Sequence, residues 1–527
     1  IGDAGTAGGM TDGNSGNLVG IAGTGTRDIA TVLDPVLADN GGLTPTHKLV
    51  VGSPAIDAGD PAFDGSTLTP PLTNDQRGAG FTRVRKGLAS SPAARIDIGA
   101  YELIEAPVFT NDDLEINTGS MPLDLATASG VTPPGGTFSG TGVSGGFFDP
   151  TGLALGVYTV TYTVGDAGGS NSTSLTVTVT ERPSLTVTST SDTVSKVDGQ
   201  TSLREALAYA ATLTGPQTVD FSNTTANGAV NFHDATADVI RLGGTEIEID
   251  GTITIEGPGA ELLTVSGDQA SRVFHLAGTI PTDELTIRAL TIADGGATEG
   301  GAILVEDGGL TAEDCRFDGN SANVDGGAIL AKGAYLDLID CVFTNNQADQ
   351  GGAISTTSDG SCLRCRFEGN FTGEDGGAAE IDGGTFVIIE SLFTGNTADD
   401  EGGAIDNNAT SLTLVNCTIS GNTADTAGGG INNQGGLTVV NCTVTGNRAD
   451  ADGVEQTPGT PDEGFGGGGI RTDDDRGIVT LSNTIVAGNR RGAPGTDVAA
   501  DLSTALPMIV GVAPASANNL IGDPGFV

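Results

Sequence analysis

In the second half of the chain, apolar positions alternate with polar ones over four to six residues and then break at a turn. Leu412 and Leu414 lead into Cys417 and Ile419; Leu437 and Val439 lead into Cys442 and Val444. A period of two predicts strands with one buried face, and helical heptads are absent there. The alternation recurs. A Gly-Gly-Ala-Ile-like tetrad begins at Gly300, Gly326, Gly351, Gly376, Gly402, Gly428 and Gly467, in steps of 26, 25, 25, 26, 26 and 39 residues. A period near 25 marks a solenoid, each repeat being one coil stacked on the last. Three short strands and three turns fit into that length at roughly 3.3 Å per residue. The expectation is an all-β chain built mainly as a parallel β-helix.

Aligned on the tetrads, the coils form columns. One holds Leu290, Cys315, Cys341, Cys365, Ser391, Cys417, Cys442 and Thr484; two residues later come Ile292, Phe317, Phe343, Phe367, Phe393, Ile419, Val444 and Val486. Both columns are predicted to point inward. A third column is Asn320, Asn346, Asn370, Asn396, Asn422, Asn447 and Asn489. Asparagine tolerates the left-handed conformation of a tight corner, and its amide can bond to the coils above and below. These asparagines are read as a structural ladder rather than a binding site. The glycines are expected to relax the backbone at the opposite corner.

Phe317–Asn320, Phe343–Asn346, Phe367–Asn370 and Phe393–Asn396 read F-x-x-N, and Ile419 and Val444 replace the Phe in two later coils. With the glycine tetrads, these residues resemble the polymorphic outer-membrane protein repeat. The resemblance implies a right-handed parallel β-helix, a pectin-lyase-like solenoid, on a bacterial surface. Residues 291–527 are assigned to its regular coils, with the C-terminal end left open.

Three further stretches precede them. In residues 183–290, Leu185–Ser189 reads as a strand and Thr201–Ala211 as a helix, with Ser202 and Glu205 at capping-box spacing. The helix resembles the CSLREA motif at the start of bacterial surface β-helices, with Thr201 in place of the motif's Cys. It implies a cap over the first, less regular coils. Residues 107–182 alternate in short runs, the longest at 156–164 and 174–180, which suits an antiparallel sandwich. Gly136–Val143 resembles the G-T-F-S-G-x-G-V motif of bacterial immunoglobulin-like domains, and the resemblance implies a spacer. In residues 1–106, segments 38–47, 52–59, 75–78 and 97–102 resemble the choice-of-anchor Q region, which in that family follows a β-helix and closes its end.

Here the closing region comes first. Ile521–Val527 set over Ile1–Ala7 gives four identities in seven, as if the chain were a circularly permuted repeat unit. The expectation is that residues 1–106 complete the β-helix of a neighbouring copy. That would make a head-to-tail filament or a covalent tandem array. The alternative is a piece of a longer chain in which those residues finish an upstream helix.

Composition narrows the partners. Of 527 residues, 67 are acidic and 22 basic, a formal net charge of −45. So negative a field argues against nucleic acid and anionic membranes, and no apolar run reaches the length of a membrane-spanning helix, so no membrane insertion is expected. All six cysteines lie in the repeats. Cys315 with Cys341 and Cys417 with Cys442 sit one coil apart, within reach of a disulfide; the alternative is a stack of buried thiols.

Carboxylates recur along the coils: Asp314, Asp340 and Glu390 beside the cysteine column, and Glu299, Asp325, Asp375 and Glu401 before the glycine tetrads, with Arg316, Arg364 and Arg366 nearby. Such regularity reads as a solvated ladder rather than one acid–base pair. The insertion 449–466 is acidic and is followed by Asp473, Asp474 and Asp475, a weak Ca2+ signal on a long loop. No cofactor is required by any motif. The functional expectation is a noncatalytic, extracellular or cell-surface, adhesin-like structural protein. The alternative is a secreted polysaccharide lyase, hydrolase or binding protein, which a unique groove with carboxylates and a basic residue would favour.

Overall fold

The computed structural model describes residues 21, 24–39, 44–50, 53–56, 58, 68, 71–72, 74–76, 106–132, 134–166, 169–277, 283–333, 335–451, 466–472, 477–492, 498–499, 501–504 and 519–521. They divide into two compact units, Ile1–Arg182 with Lys196–Gly199, and Pro183–Ser195 with Gln200–Val527.

The first unit contains a β-hairpin of Gly156–Asp166 and Gly169–Thr180. Asp113–Asn117 adds to it in parallel and Thr137–Ser139 antiparallel, making a four-stranded sheet. A smaller antiparallel sheet joins Leu123–Asp124, Phe147–Phe148 and Val143–Ser144. Leu114, Ile116, Phe148, Val160, Leu175, Val177 and Val179 from both sheets share one core. Two features depart from an antiparallel sandwich: the parallel first strand, and a helical turn at Leu125–Ser129, capped by Asp124 and ended by left-handed Gly130. Of residues 1–106, the described part holds a small cluster of Val32, Leu49, Ala55 and Ile56. Segment 97–102 lies outside the described residues.

The second unit is a β-solenoid. Its first strand, Thr186–Val187, pairs with Gln217–Phe221. Between them lies helix Leu203–Ala211, whose capping box is complete: the Glu205 amide donates to Ser202 Oγ, and the Ser202 amide donates to Glu205 Oε2 at 2.9 Å. Leu203, Ala206, Leu207 and Ala210 face inward and join the solenoid core.

Each regular coil has four strands, one more than its length suggested. The coil beginning at Tyr335 runs Tyr335–Ile339, Val342–Thr344, Gln347–Ala348 and Ile354–Thr356. Stacked in register, these make four ladders of 11, 11, 9 and 10 strands among the described residues, in coil order. The unexpected third strand is two residues long. It follows the Asn corner and turns a small residue inward (Ala322, Ala348, Ala398, Ala424 and Ala449 are all buried), and its brevity hid it from a periodicity argument.

The predicted inward columns stack on the second ladder. Phe317, Phe343, Phe367 and Phe393 are fully buried and lie nearly parallel, with ring centroids 4.7, 4.8 and 4.6 Å apart. All six cysteines are buried free thiols. Cys315–Cys341 and Cys417–Cys442 lie on neighbouring coils without a bridge, and their sulfurs donate to carbonyls, as Cys341 does to Ala312 O at 3.3 Å. Burial holds the Cys341 and Cys362 thiols above their ordinary acidity range, so they behave as small apolar groups.

The asparagine column is a continuous buried hydrogen-bond chain. Asn370 Nδ2 donates to Asn396 Oδ1 at 2.9 Å and to Phe343 O at 3.1 Å, and the Asn370 amide donates to Asn396 Oδ1 at 3.0 Å. The pattern repeats from Asn320 through Asn346, Asn370, Asn396, Asn422 and Asn447 to Asn489, where Asp501 Oδ1 takes the acceptor's place. The left-handed residue at this corner is the one before the Asn: Gly319, Asn345, Gly369, Gly395, Gly421, Gly446 and Gly488. The ladder asparagines are selected for their amides, not for their backbone tolerance.

A second left-handed column, at φ 50° to 55°, separates the first and second ladders: Ala289, Asp314, Asp340, Arg364, Glu390, Asn416, Asn441 and Asn483. The tetrad glycines make the corner before the fourth ladder. Gly351 has φ +60°, and a Cβ there would lie 2.3 Å from Ile354 O. At Gly352 a Cβ would meet Gly377 O of the next coil at 2.2 Å. The first glycine folds the corner back onto its own strand, and the second lets the coils close up.

Candidate functional site

That fold-back shapes the outer face of the fourth ladder. In each three-residue strand the outer two side chains point to the core and the middle one points away. The middle positions are Glu248, His275, Leu304, Leu330, Ser355, Glu380, Asp406, Asn432 and Arg471, in register coil by coil. They do not repeat. The phenylalanine and asparagine columns are nearly uniform; this one changes from charged to apolar to polar.

It is also sealed. Glu380 is 4 % exposed, Asp406 1 % and Asn432 fully buried, because the tetrad corner lies against it. The corner carries Glu299, Asp325, Asp375 and Glu401, so these residues flank the column instead of forming a solvated ladder. From Ser355 onward the groups are bonded in two sets, Ser355 with Glu380 and Asp406 through Asn432 to Arg471. Ser355 Oγ donates to Glu380 Oε2 at 3.1 Å. Asn432 Nδ2 donates to Asp406 Oδ1 at 2.6 Å and Glu401 Oε2 at 2.7 Å. Arg471 Nη1 donates to both Glu401 oxygens and to Asn432 Oδ1, each at 2.9 Å. Asn408 Nδ2 bridges Asp406 Oδ2 and Asp382 Oδ1.

The electrostatics follow from this crowding. Burial, reinforced by Asp382 and Asp406, pushes the Glu380 carboxyl up to about 9. Burial pushes Asp406 up to about 8 against the opposing bond from Asn432, with Asp375 and Glu401 adding to the rise. Both are neutral acids at pH 7. Asp375, half-buried at the corner, is raised to about 6, mainly by burial. Asp325 is raised by burial and by Glu299, and its Oδ1 is buried without a hydrogen-bond partner. Lys332 pairs with Glu299 at 2.7 Å.

Other sequence candidates lie elsewhere. Asp314, Asp340 and Glu390 occupy the left-handed corner between the first two ladders, where Arg364 grips Asp340 through two 2.6 Å bonds. Arg316 pairs with Glu261 and Arg366 with Glu368 on the surface. Two histidines that were not candidates contact backbone carbonyls: His47 Nδ1 lies 2.9 Å from Asp34 O, and His233 Nε2 lies 3.1 Å from Phe221 O. Asp473, Asp474 and Asp475, and most of the 449–466 insertion, lie outside the described residues. Among the described residues, Glu246, Glu248 and His275 bring three metal-ligating atoms within 4.8 Å of one another.

Glu380, Asp406 and Arg471 carried no weight in the sequence reading, yet they had a signal. Each is the residue after the tetrad, where the coils disagree far more than within it: Leu304, Leu330, Ser355, Glu380, Asp406, Asn432, Arg471.

Residues 327–500 match the right handed beta helix region family, and residues 314–332 match the Chlamydia polymorphic membrane protein repeat. The solenoid is a right-handed parallel β-helix of repeats. No curated protein and no solved structure matches the chain. No helix among the described residues is long and apolar enough to cross a membrane.

Proposed function

We propose that the chain is a noncatalytic, surface-exposed or secreted adhesin-like protein, with the β-helix as its stiff structural element. The likeness to the Chlamydia polymorphic membrane protein repeat supports the surface assignment. One observation carries the noncatalytic reading. Glu380 and Asp406, the two carboxyls with the largest acidity shifts, are closed off from solvent and bonded to Ser355, Asn432 and Asn408. An acid or base must reach its substrate to act. Here the tuned groups bind the corner to the ladder instead. Capping by helix Leu203–Ala211 in the CSLREA manner, and an immunoglobulin-like spacer within residues 107–182, belong to the same reading.

Head-to-tail association with other copies of the chain completes it, with residues 1–106 serving the β-helix of a neighbour. Electron microscopy and light scattering of the purified chain test this; filaments or concentration-dependent growth are expected, and a monodisperse monomer at high concentration removes it.

A second reading, a polysaccharide-active β-helix, is favoured by Asp375, which is only half-buried and titrates near the pH where a general base works. Incubation with a panel of neutral and acidic polysaccharides separates the two. No new chain ends above those of D375N is the expected result. Turnover by the wild type that D375N abolishes would establish the enzyme.

A further inference from the structure

The same outer face carries a different constellation at its other end. Glu248 and His275 are register partners on adjacent parallel strands, Ile247–Ile249 and Phe274–Leu276, and Glu246 immediately precedes the first. His275 Nδ1 lies 3.1 Å from Glu248 Oε1 and 3.3 Å from Glu246 Oε1. The imidazole is largely covered, and its Nε2 is buried with no hydrogen-bond partner among the described residues; Glu306 Oε2 lies 3.8 Å away. Glu246 is aimed from behind. Its second oxygen takes a 2.5 Å bond from Arg272, which is itself buried and pinned to Glu299 O and Gly300 O.

We propose that Glu246, Glu248 and His275 bind one divalent transition-metal ion. A metal about 2.0 to 2.2 Å from each of three donors holds those donors roughly 3.3 Å apart. The spacing of the imidazole nitrogen from each carboxylate oxygen already matches this. The charges match as well. Glu246, Glu248 and Glu306 bring three negative charges and Arg272 one positive, leaving a deficit of two. One nitrogen with two carboxylate oxygens selects Zn2+, Mn2+, Fe2+ or Co2+ over Ca2+, which takes an all-oxygen shell. With the metal on Nδ1, the Nε2 hydrogen points toward Glu306, the outer carboxylate partner usual for a metal-bound histidine. The ligands sit on or beside register-locked strands rather than a loop, so the site is rigid before the ion arrives. Three protein ligands leave at least one coordination position for water or an oxygen of a bound ligand.

The test uses the full chain, stripped with a chelator and titrated with Zn2+ and with Co2+. One equivalent is expected to bind. H275Q and E248Q are each expected to weaken it at least about tenfold, while the distant pair E380Q/D406N binds as wild type. Glu248 is well exposed, so E248Q keeps the fold if H275Q does not. X-ray absorption of the Zn2+-loaded wild type, which needs no variant, is expected to show a nitrogen–oxygen shell with a single imidazole. No binding by the wild type, binding unchanged in E248Q, or a sulfur shell from the cysteine stack would each overturn the assignment.

Discussion

Replacing Glu380 and Asp406 by Gln and Asn removes the two most perturbed acids while keeping their shape. Their folded values are about 9 and about 8, against ordinary values of 4.5 and 3.8. A raised value means the folded protein favours the neutral form. The stability contribution of each group is therefore complete below its unfolded value and is lost as pH rises through the folded one. Between those limits the cost is about 1.4 kcal/mol per pH unit per group. At pH 7 it reaches about 3 kcal/mol for Glu380 and about 4 kcal/mol for Asp406. A chain carrying −45 also raises its unfolded carboxyl values, which lowers the sum of the two. In a solenoid this falls on the coils concerned. The assay is hydrogen exchange of Ala379–Ile381 and Ile405–Asn407 at pH 5.5 and pH 8, corrected for intrinsic rates. Wild-type protection of these strands is expected to fall by several kcal/mol over that interval. The double variant is expected to be flatter and better protected at pH 8. Protection that rises with pH, or the same slope in wild type and variant, would show both carboxyls ionised in the folded protein and refute the neutral column.

Other substitutions probe the ladders separately. Asn396→Ala strips an acceptor from Asn370 and a donor from Asn422 in a fully buried chain, and is expected to cost about 2 to 4 kcal/mol by urea denaturation. Asn396→Asp is expected to be no better, because a carboxylate has no proton to offer Asn422 Oδ1. Gly351→Ala combines a left-handed backbone with a 2.3 Å approach to Ile354 O, for an expected loss of at least about 2 kcal/mol in the same assay. Glu390→Asn, at φ 54° on the left-handed corner, is expected to raise the melting midpoint, worth about 0.5 to 1 kcal/mol. Phe367→Ala opens a gap between two stacked rings, with an expected loss of about 3 to 5 kcal/mol.

What could be read in advance follows from how each feature is encoded. The core columns were legible because burial is repeated: Phe317 to Phe393 say the same thing four times, and so do the ladder asparagines. The third strand was not, because two residues carry no period. The left-handed positions were assigned to the wrong residue. Asn320 and Gly319 are neighbours, both plausible at a corner, and only the backbone shows that the glycine turns while the amide bonds. The sheet pairing of Asp113–Asn117 was equally hidden, since alternation specifies which face is buried and not the direction of the partner strand.

The missed site has a more instructive cause. A repeat is recognised by what its coils share, so attention falls on columns that agree. In a β-helix those columns maintain the rod, because identical neighbours satisfy one another at every step, as the asparagine chain does. A column that changes from coil to coil is released from that demand and can hold something specific. The middle position of the fourth ladder is such a column: Glu248 and His275 at one end, Leu304 and Leu330 between, and a carboxyl–amide–guanidinium chain at the other. Its variability cannot reflect simple exposure, since six consecutive members from Leu304 to Asn432 are no more than 4 % exposed. Buried polar groups that differ between coils must each find a different partner, and Ser355, Asn432 and Arg471 do so across coil boundaries. Function in this chain is therefore to be sought where the repeat is least itself.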